Sequence, residues 1–324
     1  MAGKPKDAAL PATPTTPLAA GDKPKARQRS IAESNEPPHL LAYQGSKRRL
    51  GPQILAVMEG TRVRRLYEPC CGSAAVSLRA ASKGVATTYV LGDSLDSLVE
   101  LWRLAIDHPD DLADAYASRW SARASDARAR FEAVRDAFNR SHEPADLLYL
   151  LARCVKSAPR FNRDGHFNQG ADHRRLGTRP ATMRGRLRAV AALLRGRAIL
   201  RSGDLVDNLA DAQPGDLVYL DPPYLGTSSG RNPRYHQGLD RERLIAVLAD
   251  LDRRDVPLVL SYDGRTGERE YGPPLPDDLG LRRFSLRAGR SSQGTLSGHR
   301  VETFESLYVS RGLEEAAARV LPRW

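Results

Sequence analysis

The sequence contains few cysteines, few aromatic residues and no long apolar run. Only three of its 324 residues are cysteine, and phenylalanine, tryptophan and tyrosine together make up 6%. A small, odd number of cysteines cannot build a disulfide framework, so we expect a protein of the reducing cytosol. No stretch of about 18 apolar residues occurs, and the N-terminus lacks the apolar core of a secretory signal, so we expect neither membrane insertion nor secretion.

Metal-ligand spacing is also missing. The seven histidines are scattered, and none lies at the separation from another histidine or a cysteine that is typical of zinc sites. We therefore expect no metal. The remaining composition, 41% hydrophobic and 27% charged, is that of an ordinary globular protein long enough to bury a substantial core.

Positive charge is concentrated in one part of the chain. Residues 151–202 contain thirteen lysines and arginines against Asp164 and Asp172, an excess of eleven that equals the net charge of the whole chain. Such a segment is typical of proteins that bind a polyanion, because counterion release drives the association. The alternative is a solvated arginine-rich helix face, and charge alone does not name a reaction.

Short apolar runs alternate with helical periodicity along most of the chain. About seven strands are predicted, near residues 65–67, 87–91, 198–200, 217–220, 257–260, 281–287 and 305–310. The last two follow each other without a long helix, which predicts an antiparallel hairpin at the sheet edge. A helix from Ala74 to Gly84 and another at 240–253, capped by Asp240, indicate βα units. Further helices are predicted at 120–138, 146–154 and 182–194, and the pattern as a whole predicts a doubly wound α/β fold.

The segment ending at Tyr224 carries the clearest chemical signal. A buried apolar strand ends there in Asp221, Pro222, Pro223 and Tyr224. Ligands of open α/β sheets bind at the carboxyl ends of strands. Asp221 can accept hydrogen bonds from an amine, the prolines hold the turn rigid and leave carbonyl oxygens as acceptors, and Tyr224 offers a ring on which a planar base can stack. We favour this slot for an exocyclic amino group over the alternative, a strand-terminating turn with a locally packed tyrosine.

These four residues match the catalytic motif of amino-group DNA methyltransferases. The wider pattern resembles the adenine-N6 DNA methyltransferase family, which includes the bacterial Dam enzymes and phage relatives. The resemblance runs from about residue 40 to about residue 310 and rests on segments in the same order: 43–47, 68–73, 92–93, 160–168, 203–205 and 290–292. It implies a Rossmann-like S-adenosylmethionine-dependent methyltransferase sheet with an inserted, mainly helical target-recognition domain, acting on adenine N6 in flipped-out bases of duplex DNA.

The same resemblance implies a division of the chain and a set of cofactor residues. We expect a disordered basic arm at 1–36, a catalytic domain at 37–102 and 196–312, an inserted DNA-recognition domain at 103–195 and a C-terminal tail at 313–324. In this division, Gly72 lets the backbone approach the methionine part of S-adenosylmethionine, Asp93 holds the ribose, Leu205 and its neighbour hold the adenine, and Lys47 or its neighbours hold the carboxylate. The residues expected to bind the cofactor are Tyr43, Gly45, Lys47, Glu68, Pro69, Cys70, Gly72, Asp93, Ser94, Asp204, Leu205 and Asp221. Without the resemblance, two alternatives remain open. Asp93 fits the role of a helix N-cap equally well, and Lys47 fits that of a solvated surface charge.

DNA contacts are expected from the basic insertion, from the segment after Tyr224 and from the segment after Arg290. The residues predicted to bind DNA are Arg160, Asn162, Arg163, Asn168, Arg174, Arg175, Arg231, Tyr235, Ser291 and Ser292. The sequence departs from the family pattern at Cys70 and Cys71, where aromatic residues are common, and at Lys156-Ser157, where relatives often have Asn-Gly. After Ser292 the usual short basic run is also missing.

Other activities fit parts of the pattern. N4-cytosine methylation uses the same slot, although its motif commonly begins with serine, and some relatives methylate adenine in structured RNA. Ring-carbon methylation of cytosine needs a thiol after a proline, and Pro69-Cys70 lies in the wrong turn for it. A nucleic-acid-binding module without activity is the non-enzyme alternative. We expect a monomer or weak dimer that binds double-stranded DNA and does not associate with a membrane. A cognate restriction endonuclease is a candidate partner. The amino-acid sequence does not indicate which DNA sequence is recognised.

Overall fold

A central β-sheet organises the chain. The computed structural model describes residues 36–43, 45–120, 124–162, 164–172, 174–223, 240–267, 269–290 and 302–324. The strands are β1 Val63–Glu68, β2 Ala86–Asp93, β3 Ala198–Ser202, β4 Leu217–Leu220, β5 Leu258–Thr266, β6 Arg269–Tyr271, β7 Arg282–Arg290 and β8 Glu302–Val309. The helices are α1 Gly51–Val57, α2 Ala75–Lys83, α3 Asp96–Asp107, α4 Pro109–Arg119, α5 Ala124–Ser141, α6 Pro144–Arg153, α7 Pro180–Leu194, α8 Leu205–Leu209, α9 Arg241–Arg253 and α10 Glu314–Val320.

The strand order creates a crevice at the middle of the sheet. The order is β3-β2-β1-β4-β5-β8-β7, with β6 paired to β5, and strands β1 to β5 run parallel to one another. From β1 the chain continues to β2 on one side, whereas β4 lies on the other side of β1. Such a switch point opens a crevice beyond the carboxyl ends of the two strands. The predicted doubly wound α/β fold is confirmed.

Strand β4 shows why the sheet is buried on both faces. Its four residues Leu217–Leu220 are all buried. Leu217 and Tyr219 belong to one hydrophobic core, and Val218 and Leu220 belong to a second. Successive side chains of a strand point to opposite faces, so the continuous apolar run fills both cores, as in parallel sheets covered on each side.

The edge of the sheet forms the predicted antiparallel hairpin. Strand β8 lies between β5 and β7 and runs antiparallel to both. The structure adds the short strand β6, which the sequence pattern did not indicate, so the sheet has eight strands within the described residues.

Among those residues, no helix combines the length and the apolar character that crossing a bilayer requires.

The insertion differs from the prediction at its start. Residues Pro109–Arg119 form helix α4, which was not predicted, and the helix predicted from Trp120 begins at Ala124 among the described residues. Trp120 has extended backbone angles, φ −79° and ψ 140°, and ends α4. The sequence at the start of α4, a proline followed by two aspartates, is also typical of a loop. Proline is nevertheless well tolerated in the first turn of a helix, and acidic side chains there stabilise the helix.

The inserted helices extend the core of the sheet. Trp102 of α3, Tyr116 of α4 and Leu187 of α7 belong to the same continuous hydrophobic core as Leu66 and Leu91 of the sheet. The boundary expected at residue 102 falls within α3, which continues to Asp107. The last residues, expected as a tail, form α10 and a bridge between Arg323 and Phe284, and the Arg283 guanidinium lies 4.0 Å from the centre of the Trp324 ring.

Two helix ends expected from the sequence are confirmed. Gly84 ends α2 with φ 67°, a left-handed conformation that suits glycine. The Asp240 carboxylate accepts a 2.7 Å hydrogen bond from the Arg243 backbone N–H and caps α9.

Candidate active site

The Asp221-Pro222-Pro223 segment lies at the switch point, directly after the buried strand β4. Leu220 is fully buried, and the Asp221 side chain is 21% exposed, so its carboxylate lies at the floor of the crevice. Pro222 is buried beside it. Tyr224, the fourth predicted catalytic residue, lies outside the described residues.

Lys47 contacts the Asp221 carboxylate directly. Its ammonium nitrogen lies 2.7 Å from Asp221 Oδ1, 2.8 Å from Oδ2, 3.2 Å from the Gly45 carbonyl oxygen and 3.6 Å from Glu305 Oε2. Its side chain is only 6% exposed. The alternative of a solvated surface charge is therefore wrong for Lys47. Burial alone would lower the pKa of this ammonium, but the carboxylates of Asp221 and Glu305 outweigh burial and raise it.

The last residue of β1, Glu68, places another carboxylate near Asp221. Glu68 is 4% exposed, and its Oε2 accepts a 2.9 Å hydrogen bond from the Ser77 backbone N–H in the first turn of α2. Burial raises the pKa of Glu68 to about 7; the hydrogen bonds from Ser77 act in the opposite direction, and the nearby charge of Asp221 raises it further. The site therefore contains an acid that titrates near neutrality.

Asp93, at the carboxyl end of β2, connects the turn after β1 to the turn after β2. Its Oδ2 accepts a 3.0 Å hydrogen bond from the Gly72 N–H and its Oδ1 accepts a 3.1 Å hydrogen bond from the Leu95 N–H. Burial raises the pKa of this carboxyl despite these bonds and one from the Ser94 backbone. Asp93 thus orders the turns after β1 and β2, and its contact with a ribose stays a prediction.

The 43–47 segment folds over the turn after β1. The Ser73 and Ser46 hydroxyl oxygens lie 2.8 Å apart, and a Cβ atom built on Gly72 would lie 3.7 Å from the ring of Tyr43. Gly72 has φ +47°, a conformation that favours glycine. The structure therefore brings these two predicted cofactor segments together, although the sequence separates them by more than twenty residues.

The vicinal cysteines of the turn lack the character of a nucleophile. Burial raises the pKa of both thiols, and the carboxylates of Asp93 and Asp221 raise the pKa of Cys70 further. Only the thiolate attacks carbon, so a protonated thiol in an acidic surrounding does not support ring-carbon methylation through Cys70. Within the described ranges, His, Cys, Asp and Glu form no group of three that can hold a metal ion.

The Asp204-Leu205 pair starts helix α8 beside Asp93. Asp204 Oδ1 accepts hydrogen bonds of 2.8 and 3.1 Å from the Val206 and Asp207 N–H groups, and its other oxygen pairs with Arg243. The hydrogen bond from Asp207 contributes most to lowering the pKa of Asp204. Leu205 is buried in the second core. Gly203 N–H donates to the Asp93 carbonyl at 3.1 Å, so the ends of β2 and β3 meet.

Residues 160–162 and 164–168 belong to a loop that side-chain hydrogen bonds from Asn162 and from Asn139 of α5 hold in place. Asn162 Oδ1 accepts hydrogen bonds of 3.0 and 2.9 Å from the Asp164 and His166 N–H groups. Phe161 and Phe167 pack edge to face below it, 5.6 Å apart. Asn162 therefore shapes the turn, and a DNA contact by this residue stays a prediction, as it does for Asn168, which pairs with the backbone of Arg160.

Lys156 and Ser157 precede this loop in an uncommon backbone conformation. Their φ angles are +56° and +51°, in the left-handed region. Asparagine and glycine adopt that region at lower cost, which explains why Asn-Gly suits this position in similar sequences. Five predicted DNA-binding residues, Arg163, Arg231, Tyr235, Ser291 and Ser292, lie outside the described residues.

Part of the basic segment is neutralised from elsewhere in the chain. Asp110 of α4 lies 3.0 Å from Arg184 and 2.8 Å from Arg188, and Asp211 pairs with Arg201 at 2.6 Å. The excess of positive charge counted within residues 151–202 is therefore larger than the net positive charge available to bind a polyanion. Exposed basic side chains remain in the segments flanking residues 160–162 and 164–168: Lys156, Arg174, Arg179 and also Arg175, which pairs with Asp172 at 3.1 Å.

Glu305 is the residue of this site that the sequence analysis missed. It lies on β8, opposite Gly264 of β5, and reaches the crevice because β8 runs antiparallel to its neighbours. A single glutamate within a strand gives no motif, so only strand pairing identifies it.

The fold and the site together define a Rossmann-like domain with a crevice at the switch point between β1 and β4, the place where open α/β sheets generally bind their ligands. Comparison with known proteins specifies the class. Residues 43–316 match the family described as D12 class N6 adenine-specific DNA methyltransferase. The chain belongs to this family, whose members methylate the N6 amino group of adenine in DNA.

Individual relatives agree with this assignment. The DNA N-6-adenine-methyltransferase of Escherichia phage P1 is 30% identical over 171 residues, which are 49% of this chain and 21% of the phage protein. The type II methyltransferase M1.LlaDCHI of Lactococcus lactis subsp. cremoris is 25% identical over 68% of this chain and 78% of its own length. The retron Ec67 DNA adenine methylase of Escherichia coli is 29% identical over 61% of this chain and 68% of its own length.

Among solved structures, precorrin-6y C5,15-methyltransferase from Geobacter metallireducens covers 86% of this chain and 95% of its own, with 9% identity and a TM-score of 0.33. A similarity this distant does not bear on the site.

Proposed function

We propose that this chain transfers the methyl group of S-adenosylmethionine to N6 of an adenine that is flipped out of duplex DNA. The observation that carries the proposal is the position of Asp221, at the carboxyl end of β4 and across the switch point from the turn that follows β1. This arrangement places a hydrogen-bond acceptor for an amine beside a turn built for close backbone approach. The family matched by residues 43–316 supports the target atom.

The charge of the crevice suits a cationic methyl donor. Asp93 and Asp221 are partly exposed at the carboxyl ends of β2 and β4, Glu68 is buried near Asp221, and the buried cation Lys47 pairs with Asp221. When bound, S-adenosylmethionine supplies a sulfonium methyl group: the N6 lone pair forms the new N–C bond as the C–S bond breaks with its electrons left on sulfur, and one amino proton is released. The turn at Gly72 and the carboxylates of Glu68 and Asp93 are the residues that would hold this donor.

The residues after β4 prepare the amine. In adenine, the N6 lone pair is delocalised into the ring, so the nitrogen is a weak nucleophile. Asp221 and the Pro222 carbonyl accept its two hydrogens and orient the lone pair, and Tyr224 stacks on the base. Holding two reactants in line contributes up to about 7–11 kcal/mol to catalysis, so positioning is the main contribution of these residues.

Duplex DNA is the proposed partner. Removing a base from the stack costs a few kcal/mol, which stacking and phosphate contacts offset. The exposed cations beside the 160–168 loop, Lys156, Arg174 and Arg175, supply such phosphate contacts in this proposal. N4-cytosine methylation uses the same slot and is distinguished by the product.

Asp221→Ala tests the assignment. With tritiated S-adenosylmethionine and unmethylated genomic DNA, the wild-type protein should produce N6-methyladenine after digestion of the DNA to nucleosides. The variant should lose methyl transfer while its affinity for DNA, measured by fluorescence anisotropy, changes little. Asp252→Ala, at an exposed position of α9, is the matched control and should keep its activity. Turnover of Asp221→Ala within a few-fold of wild type refutes the role of Asp221, and N4-methylcytosine as the product refutes the target base.

A further inference from the structure

One buried ammonium is placed between two carboxylates at the candidate site. Lys47 Nζ is within 2.8 Å of both Asp221 oxygens and 3.6 Å from Glu305 Oε2. The Lys47 side chain is 6% exposed, whereas those of Asp221 and Glu305 are 21% and 22% exposed. The ammonium is therefore held below the two acids, and the acids face the crevice.

This arrangement limits what Asp221 can offer the amine in the proposed function. Asp221 must accept hydrogens from the adenine amino group, and both of its oxygens already accept hydrogen bonds from Lys47. Each carboxylate oxygen has a second lone pair, but the charge-assisted bonds from the ammonium are the stronger ones and leave the oxygens weaker acceptors for a neutral amine. Asp221 therefore accepts from the amine more strongly when the ammonium moves towards another carboxylate, which it needs because a buried charge without a partner is strongly unfavourable.

Glu305 is in position to be that partner. The adjacent strands contain a bulge: Tyr262 pairs with Ser306, but Gly264 pairs with Glu305, so Asp263 is the extra residue. Asp263 has φ +52°, and a Cβ on Gly264 would lie 2.5 Å from the Phe304 carbonyl oxygen, so the bulge requires glycine there. Bulges redirect side chains and are common beside active sites, and this one sets the register that brings Glu305 to the crevice.

Building on the proposed function, we infer that Glu305 is a positioning residue for methyl transfer: it receives the Lys47 ammonium when the target amino group enters, and Asp221 then accepts hydrogens from the amine. Without the base, Lys47 orients both Asp221 oxygens and keeps the site ordered. With the base, Nζ moves by about 1 Å, from 3.6 Å to hydrogen-bond distance of Glu305 Oε2, and exchanges one carboxylate for the other. No net charge enters or leaves the site.

The test is a double-mutant cycle with Lys47→Met and Glu305→Gln, measured as single-turnover methyl transfer at saturating donor and DNA. We expect Glu305→Gln alone to lower the rate about tenfold, since Lys47 then stays on Asp221, and to change it less than about twofold when Lys47 is already methionine. Glu305→Asp should recover part of the rate. The matched control is Glu302→Gln, on the same strand β8 as Glu305. It removes an exposed carboxylate that pairs with Arg287 of β7, and its rate should stay near wild type.

Two binding measurements separate positioning from folding. The affinity for S-adenosylmethionine, measured by calorimetry, should be unchanged in Glu305→Gln. Once the methylated sequence is known from sequencing modified DNA, a duplex with 2-aminopurine at the target position should show the same fluorescence rise as with wild type, because this base flips without needing the Asp221 contact. A general loss of structure would lower both signals.

The outcomes are distinct. A Glu305→Gln rate within about twofold of wild type, or an equal fold-loss with and without Lys47, overturns the inference. If Lys47→Met does not fold, the comparison of Glu305→Gln with Glu305→Asp decides, and equal rates for these two variants contradict it. If wild-type protein transfers no methyl group to DNA, the proposed function fails first and the inference fails with it.

Discussion

Glu68 offers a test of the site that needs no substrate. It is 4% exposed, accepts the Ser77 N–H, and lies close enough to Asp221 for the two charges to repel. Burial raises its pKa from 4.5 to about 7. Glu68→Gln keeps an oxygen that can accept the same hydrogen bond and removes the charge at every pH.

The expected effect follows from proton linkage. Because the folded-state pKa of Glu68 lies above its unfolded value, the folded state favours the protonated acid, and stability is lost as the pH rises from 4.5 to 7. At 1.36 kcal/mol for each pKa unit, the ionised carboxylate lowers the free energy of unfolding by about 3 kcal/mol above pH 7. Relative to wild type, Glu68→Gln should therefore be more stable by only about 1 kcal/mol at about pH 5 and by about 3 kcal/mol at about pH 8.

Urea unfolding followed by circular dichroism between about pH 5 and pH 8.5 measures this difference. Glu59→Gln, at an exposed position after α1, controls for the loss of one carboxyl and should stay within about 0.5 kcal/mol of wild type. A difference between Glu68→Gln and wild type that does not change with pH would show that burial does not perturb Glu68. In the proposed function, donor affinity should also rise with pH through neutrality in wild type, as Glu68 ionises, and should be flat in the variant.

Two backbone predictions concern residues with positive φ. Gly72→Ala and Gly60→Ala place a side chain at φ +47° and +84° without a close contact, so each should lose about 1 kcal/mol of unfolding free energy, but only Gly72→Ala should weaken binding of S-adenosylmethionine in calorimetry. Equal donor affinity in both variants would remove Gly72 from the site. Ser157→Gly relieves the strain at φ +51° and should raise the free energy of unfolding by up to about 1 kcal/mol, whereas Ser118→Gly, inside α4, should lower it. Destabilisation by Ser157→Gly would contradict the strain at that turn.

Local patterns predicted those features whose cause is local. The apolar run Leu217–Leu220 predicted a strand covered on both faces, and Gly84 and Asp240 predicted helix ends through their own conformation and hydrogen bonding. Helix α4 was missed because its stripe, Leu112, Ala113 and Tyr116, is short and polar residues surround it. That helix is held by packing against α7, which no local pattern shows.

Electrostatic features were predicted least well. The count of charges within residues 151–202 did not reveal Asp110 and Asp211, which come from other segments and neutralise several of its arginines. Lys47 is a similar case. Its sequence neighbours, Arg48 and Arg49, are exposed, and nothing local distinguishes it from them, yet it alone is buried against Asp221.

The sequence by itself determined the alternation of the main strands and helices, the turn residues that end several of them, and the family motif at residues 221–224, because each depends on neighbours close along the chain. Only the tertiary structure decided which charges meet: Lys47, Asp221 and Glu305 come from three distant segments. Their pairing depends on strand order and on a one-residue bulge in β5. Coulomb energies depend on distance and burial in space, and neither quantity can be read from separation along the chain.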